Sequence, residues 1–126
     1  MEKPFSLAER VRSFRYAFSG LAELLRSQHN ARVHLFASLL VVIVGLSLGV
    51  TRMEWSALLL AMMLVWIAEA LNTALEFLCD LVSTEFHPLI KKSKDVAAAA
   101  VLISAMGAVM IAALIFVPYL RAYVLT

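Results

Sequence analysis

The sequence has a single cysteine, Cys79, and only four glycines. A lone cysteine cannot close an intrachain disulfide, and in the apolar run that surrounds it the thiol is expected to pack as a small hydrophobe. Gly20, Gly45, Gly49 and Gly107 are too scattered to build a Walker A loop or a kinase glycine-rich loop, whose glycines crowd together so that the backbone can approach phosphate. A cleavable leader is not expected either. Glu2, Lys3, Glu9, Arg10, Arg12 and Arg15 interrupt the first twenty residues, no apolar h-region remains, and the mature chain is expected to begin near Met1. Charge is scarce overall, at 16% of residues, and nothing in its pattern makes nucleic acid an expected partner.

What fills the chain instead is apolar surface. Hydrophobic residues make up 63% of it, with a mean hydropathy of +0.88, far above an ordinary soluble domain. Three runs are long enough to cross a hydrocarbon core as helices, about 20 residues each: 33–50, 55–82 and 96–119. Ahead of them Leu7, Val11, Phe14, Phe18, Leu21 and Leu25 recur at spacings of three and four, with Arg10, Arg12, Glu23 and Arg26 mostly on the remaining faces. That is the pattern of an amphipathic helix lying at a membrane interface, over 1–30. The predicted fold is an all-α membrane protein, one domain over 1–126, with this interfacial helix followed by three transmembrane helices.

Orientation follows the distribution of Lys and Arg rather than the net charge of +2. Arg10, Arg12, Arg15, Arg26 and Arg32 precede the first span, and Lys91, Lys92 and Lys94 follow the second, whereas the turn after the first span has only Arg52. The positive-inside rule places the N-terminus and the loop around 83–94 in the cytoplasm and the C-terminus outside. Trp55, Tyr119 and Tyr123 then fall near the outer ends of the spans, where amphipathic rings are favoured. Ala100, Ser104, Ala108 and Ala112 form an every-fourth-residue small stripe on the third span, which permits close helix approach and suggests a homo-oligomer whose sites lie between protomers.

Against this background the second span carries Glu69, Asn72, Thr73, Glu76 and Asp80. An ionisable group at that depth costs roughly 2.5–3.5 kcal/mol even on a lenient scale. At about 100° per residue, with Glu69 at zero, the others fall near −60°, +40°, −20° and +20°, so all five share one face, which cannot look at lipid. Beyond it come His87, Pro88, Lys91, Lys92 and Lys94, then Asp95 where the third span's helix is expected to begin; a helix N-terminus with a lysine beside it attracts anions. Acids and cations together suit a nucleotide phosphate held through Mg²⁺, with one carboxylate left over as general base for a hydroxyl. A proton or cation path and a structural polar seam between protomers remain as competing readings. His29 and His34, five apart and on different helix faces, read as interfacial polar residues, and Met62 and Met63 as span packing.

The string EALNTALEFLCD from Glu69 to Asp80, followed by HPLIKKSKDVAAAAVLISA from His87, closely resembles the signature of the prokaryotic diacylglycerol kinase family. FRYAFSGL from Phe14 and HNARVH from His29 fall at matching places, so the similarity covers nearly the whole chain. The resemblance implies a homotrimeric bundle in the bacterial inner membrane, with composite sites, that transfers the γ-phosphoryl group of ATP to a lipid hydroxyl at the cytoplasmic leaflet. It makes Glu69 the general base, Glu76 a metal ligand for Mg²⁺, and Asn72, with Ala98, a positioning element for substrate or phosphate. Tyr16, Glu76, Glu85, Phe86, His87, Lys94 and Asp95 match nucleotide contacts, and Asp80 a structural polar anchor. HNARVH and HPLIKKSKDVAAAAVL look closer to the undecaprenol kinase branch than to the branch acting on diacylglycerol.

One position departs from the pattern. Where the family usually has a second metal-binding glutamate, this chain has Gln28, whose amide oxygen can ligate a metal and contact the nucleotide but brings no charge. Weakened Mg²⁺ affinity is the expected consequence, with Glu23 and a neighbouring protomer's Glu85 as candidate helpers. The alternatives to a lipid kinase are an acid-lined transporter and a catalytically silent scaffold that has lost its metal through this exchange.

Overall fold

A computed structural model describes residues 4–126, and its regular structure there is four helices: α1 Leu7–Ser27, α2 His29–Leu48, α3 Arg52–Val82 and α4 Pro88–Val124. The expected start at Met1, with Glu2 and Lys3, lies outside the described residues. α2, α3 and α4 are each long and apolar enough to cross a membrane, and large apolar side chains such as Phe36, Leu60, Leu71, Ile103 and Leu114 stay exposed along them, as lipid-facing residues do. The chain is an all-α membrane protein.

α1 begins under a Ser6 cap, whose hydroxyl accepts from the Glu9 N–H at 3.4 Å. Its apolar stripe of Val11, Phe14, Phe18 and Leu21 remains exposed, and only Leu24 is buried. Gln28 ends it. In extended conformation (φ −112°, ψ 118°) this one residue is both the C-cap of α1 and the N-cap of α2. Arg32 then reaches back across the bend: Nε donates to the Leu25 carbonyl at 2.9 Å and Nη2 to that of Arg26 at 2.6 Å. Carbonyls in the last turn of a helix have no partner of their own, so the guanidinium closes α1 and fixes the direction of α2 together.

α2 stops at Gly49, whose left-handed backbone (φ 65°) places its N–H on the Gly45 carbonyl at 3.1 Å; a side chain is strained in that region, and glycine is not. A capping box starts α3. The Glu54 N–H donates to Thr51 Oγ1 at 3.2 Å, and the Thr51 N–H to Glu54 Oε2 at 2.8 Å. Tyr119 Oη, near the far end of α4, donates to the same Glu54 oxygen at 2.7 Å, so this aromatic is a tie between helices as well as a span-end ring.

α4 begins at Pro88 rather than near 96. The His87 ring caps it, Nδ1 accepting the Leu89 N–H at 3.1 Å, and proline takes the first turn. Hydropathy detects only the apolar stretch, but helical hydrogen bonding continues past it wherever caps allow. Lys91, Lys92, Lys94 and Asp95 are therefore helical, and Lys94 stands nearly two turns inside α4 rather than at its start.

α3 is the spine. Its most extensive packing is against α4, with α2 along another side, and its buried residues are Leu58, Ala61, Val65, Glu69, Asn72, Thr73 and Cys79. From Leu58 through Ala61, Val65 and Glu69 to Asn72 they recur at spacings of three and four, so the face that is apolar in the first half of the helix becomes the acid face in the second. Between membrane helices water expulsion contributes little, and close packing and interhelical polar contacts hold the bundle. No residue of α4 is buried, so most of that helix's surface has no protein neighbour within the chain.

Candidate functional site

Glu69 is 1% exposed, Asn72 7% and Thr73 4%. Both Glu69 carboxylate oxygens, Asn72 Oδ1 and Thr73 Oγ1 are buried without a hydrogen-bond partner. An unpaired buried polar atom costs about 1–3 kcal/mol, more for a charged group, so these four atoms, on three neighbouring residues of α3, make this stretch the candidate site. Asn72 Nδ2 donates to Glu76 Oε1 at 3.4 Å, and Glu76 is half-buried. The stripe seen in the sequence thus divides by depth: Glu69 is sealed, Glu76 sits at an edge, and Asp80 is exposed.

Asp80 crosses to the next helix. Its Oδ1 accepts from Lys94 Nζ at 2.7 Å, joining the end of α3 to α4, while Lys91 pairs with Asp95 one turn away along α4. A cavity of about 350 Å³ opens here, and Asp80, Glu85, Phe86, His87, Lys94 and Asp95 are among its lining residues. The turn is shaped by the Glu85 N–H donating to Ser83 Oγ at 3.1 Å. Phe86 projects outward, 79% exposed. The structure therefore gathers Glu85, Phe86, His87, Lys94 and Asp95 at one concavity.

Other predicted residues stand apart from it. Tyr16 is exposed on α1, and Ala98 is exposed on α4. Gln28, half-buried at the bend, uses Nε2 on Ser27 Oγ at 3.4 Å, and its side chain makes no hydrogen bond to Glu76. Glu23, a candidate helper, pairs with Arg26 at 3.8 Å on the surface of α1. Among the described residues no three His, Cys, Asp or Glu side chains cluster as a metal site. The oxygen donors of Glu76 and Gln28 suit a hard cation, yet they offer one negative charge between them, and phosphate oxygens would have to complete the shell.

The histidine reading needs correction. His34 faces protein rather than lipid or water: its side chain is 16% exposed, and Nε2 lies 3.4 Å from Glu69 Oε2 across the α2–α3 contact. The pattern within α2 could not reveal this, because what faces His34 is set by another helix. A histidine at the head of an apolar run was the only available signal.

A second cavity, about 790 Å³ and almost wholly apolar, runs between α3 and α4. Ala61, Leu64, Ala68, Ala100, Ser104 and Ala108 line it, with Asn72 the polar residue of its α3 wall. Three members of the predicted small stripe thus face this groove, and Ala112 does not. A third, about 500 Å³, lies under α1, between Gly20, Leu24, Thr73 and Phe77.

The sequence matches the family model described as prokaryotic diacylglycerol kinase over residues 15–116. It is 39% identical over 107 residues to a diacylglycerol kinase of Synechocystis, covering 84% of this chain and 61% of that one. With an undecaprenol kinase of Bacillus subtilis it shares 37% over 109 residues, 86% of this chain and 89% of the other. A diacylglycerol kinase of Escherichia coli is 33% identical over 100 residues, 79% and 82% respectively. The chain spans about three fifths of the cyanobacterial relative and most of the other two.

Proposed function

The chain belongs to the prokaryotic diacylglycerol kinase family, and from that premise we propose that it is a lipid kinase transferring the γ-phosphoryl group of ATP to a membrane-lipid hydroxyl at the cytoplasmic leaflet. The observation that carries the reading is Glu69: a carboxylate 1% exposed, with both oxygens unpaired, midway along a membrane-length helix. In the transfer, a bond forms between the lipid oxygen and the γ-phosphorus while the bond to the β-phosphate bridging oxygen breaks, and Glu69 accepts the hydroxyl proton. No covalent enzyme intermediate is involved, so catalysis is positioning plus charge stabilisation.

Each remaining residue has a task in that scheme. Lys94, steadied by Asp80, lies where a phosphate enters the cavity at the α3–α4 turn, with Asp95, Glu85, Phe86 and His87 around it and Tyr16 reaching the nucleotide from α1. Asn72, with Ala98, positions substrate or phosphate. Glu76 and Gln28 would hold Mg²⁺, which supplies positive charge to the polyphosphate; Gln28 brings only a neutral oxygen. The relatives named as diacylglycerol kinases and as an undecaprenol kinase define the two acceptors to compare. Favouring the second is the HNARVH and HPLIKKSKDVAAAAVL pattern.

Within the reading, the protein is a trimer whose sites join residues of neighbouring protomers, with the N-terminus in the cytoplasm and the C-terminus outside the bacterial inner membrane. What supports the trimer is the small-residue groove beside Asn72, which permits close approach of another helix, and what supports the orientation is the distribution of Lys and Arg around the spans.

The test is transfer of labelled γ-phosphate from ATP to mixed lipids containing both diacylglycerol and undecaprenol, wild type beside Glu69→Gln. Labelled lipid from the wild type and a loss of roughly a hundredfold or more in the variant are expected. No labelled lipid of either kind would remove the kinase reading, and proton flux without transfer would replace it with the transporter.

A further inference from the structure

Glu69 has one polar neighbour that its role as base does not use. His34 Nε2 stands 3.4 Å from Glu69 Oε2, and neither atom has a hydrogen-bond partner. Arg32, two residues before His34, is engaged on the Leu25 and Arg26 carbonyls, and Lys94 on Asp80.

The juxtaposition is held by a ladder of contacts between the antiparallel helices α2 and α3. One turn beyond His34, the Ser38 hydroxyl donates to the His34 carbonyl at 2.7 Å and accepts from Trp66 Nε1 at 3.1 Å. Ser38 faces Trp66 just as His34 faces Glu69, and farther along Gly45 lies against Trp55, so closely that a Cβ there would stand 2.6 Å from the indole. A bulky ring seated on a glycine and an indole hydrogen-bonded to a serine together set the register. The imidazole consequently meets the carboxylate with little freedom to slide.

We infer that His34 is a positioning residue for the transfer reaction: its Nε2–H donates to Glu69 Oε2 and holds the carboxylate so that the other oxygen, Oε1, faces the lipid hydroxyl. A glutamate carboxyl turns readily about its last torsion, and a base that rotates out of reach loses much of the advantage of proximity. One charge-assisted hydrogen bond in a dry site restrains that rotation. The 3.4 Å separation is longer than a closed bond; catalytic hydrogen bonds commonly tighten when substrate is present. No bond is made or broken at His34, and the hydroxyl proton goes to Glu69. The inference rests on Glu69 being the base.

The test compares His34→Gln, His34→Asn and His34→Leu, in lipid bilayers and at equal amounts of assembled protein, for kcat and for the KM of ATP. Glutamine can present an amide N–H close to the place of Nε2, asparagine is too short, and leucine has no donor. A fall in kcat of roughly tenfold or more in the Asn and Leu variants, with the KM of ATP within about twofold and most of the rate recovered by Gln, is the expected pattern. If leucine does not assemble, the Gln and Asn pair gives the same comparison. Equal rates in Gln and Asn, or a change carried by KM, would overturn the inference. Glu69→Gln measured alongside separates the two failures: an active Glu69→Gln removes the base, whereas an inactive Glu69→Gln beside a fully active His34→Asn removes only the histidine.

Discussion

Asp80 and Lys94 form a 2.7 Å ion pair that joins the last turns of α3 to the second turn of α4. The lysine assigned to phosphate is thereby delivered to the edge of a cavity by an acid from another helix, and the two residues should respond differently to removal. Lys94→Ala takes away the charge itself, and kcat/KM for ATP is expected to fall by roughly a hundredfold, as when a transition-state contact is lost. Asp80→Asn leaves the lysine in place. Both side chains are partly exposed, so the pair adds little to stability, and the expected rate loss is under about tenfold. Steady-state kinetics of the two variants at matched lipid composition checks both.

Gln28 is the clearest handle on metal dependence. Gln28→Glu restores a charge to a donor pair that has one, and the Mg²⁺ concentration for half-maximal rate is expected to fall several-fold. An unchanged Mg²⁺ titration would show that position 28 does not ligate the metal.

Arg32 is predicted to matter for stability before chemistry. Its two bonds to the Leu25 and Arg26 carbonyls, at 2.9 and 2.6 Å, close the bend at Gln28. Hydrogen bonds to a charged group contribute about 1.5–3 kcal/mol each in favourable settings, and these are exposed, so a cost near 1–2 kcal/mol is expected for Arg32→Ala. Thermal unfolding in detergent measures it. Arg32→Lys, a single point charge in place of a fork, should recover only part.

The Gly45 contact makes a paired prediction. An added Cβ would stand 2.6 Å from the Trp55 ring, and overpacking of this kind costs about 1–3 kcal/mol. Gly45→Ala should therefore lower the unfolding temperature, and Trp55→Leu in the same chain should offset much of the loss. Additive losses in the double variant would mean that the two residues do not press on each other.

Much of the architecture was legible in the sequence, for a physical reason that can be followed along α3. A helix repeats every 3.6 residues and a bilayer demands about 20 apolar ones, so length and spacing alone gave the spans and put Glu69, Asn72, Thr73, Glu76 and Asp80 on one face. Where regular periodicity gave way to capping, the reading failed: α4 starts at Pro88, not near 96, because His87 and Pro88 supply what a helix terminus needs in water. His34 was misread for a related reason. Its neighbours in sequence are apolar and uninformative, and its partner lies 35 residues away.

The sequence by itself therefore determined a membrane protein with three spans, an acid face and a cluster of cations beyond it, because each is a property of one helix or one loop. Only the tertiary structure decided how the acid face is shared out: Glu69 sealed against His34, Glu76 held by Asn72, Asp80 drawn to Lys94. Those outcomes depend on the register between helices, which Ser38 with Trp66 and Gly45 with Trp55 set through contacts of size and shape. A pattern read along one helix has no term for the neighbour it will meet.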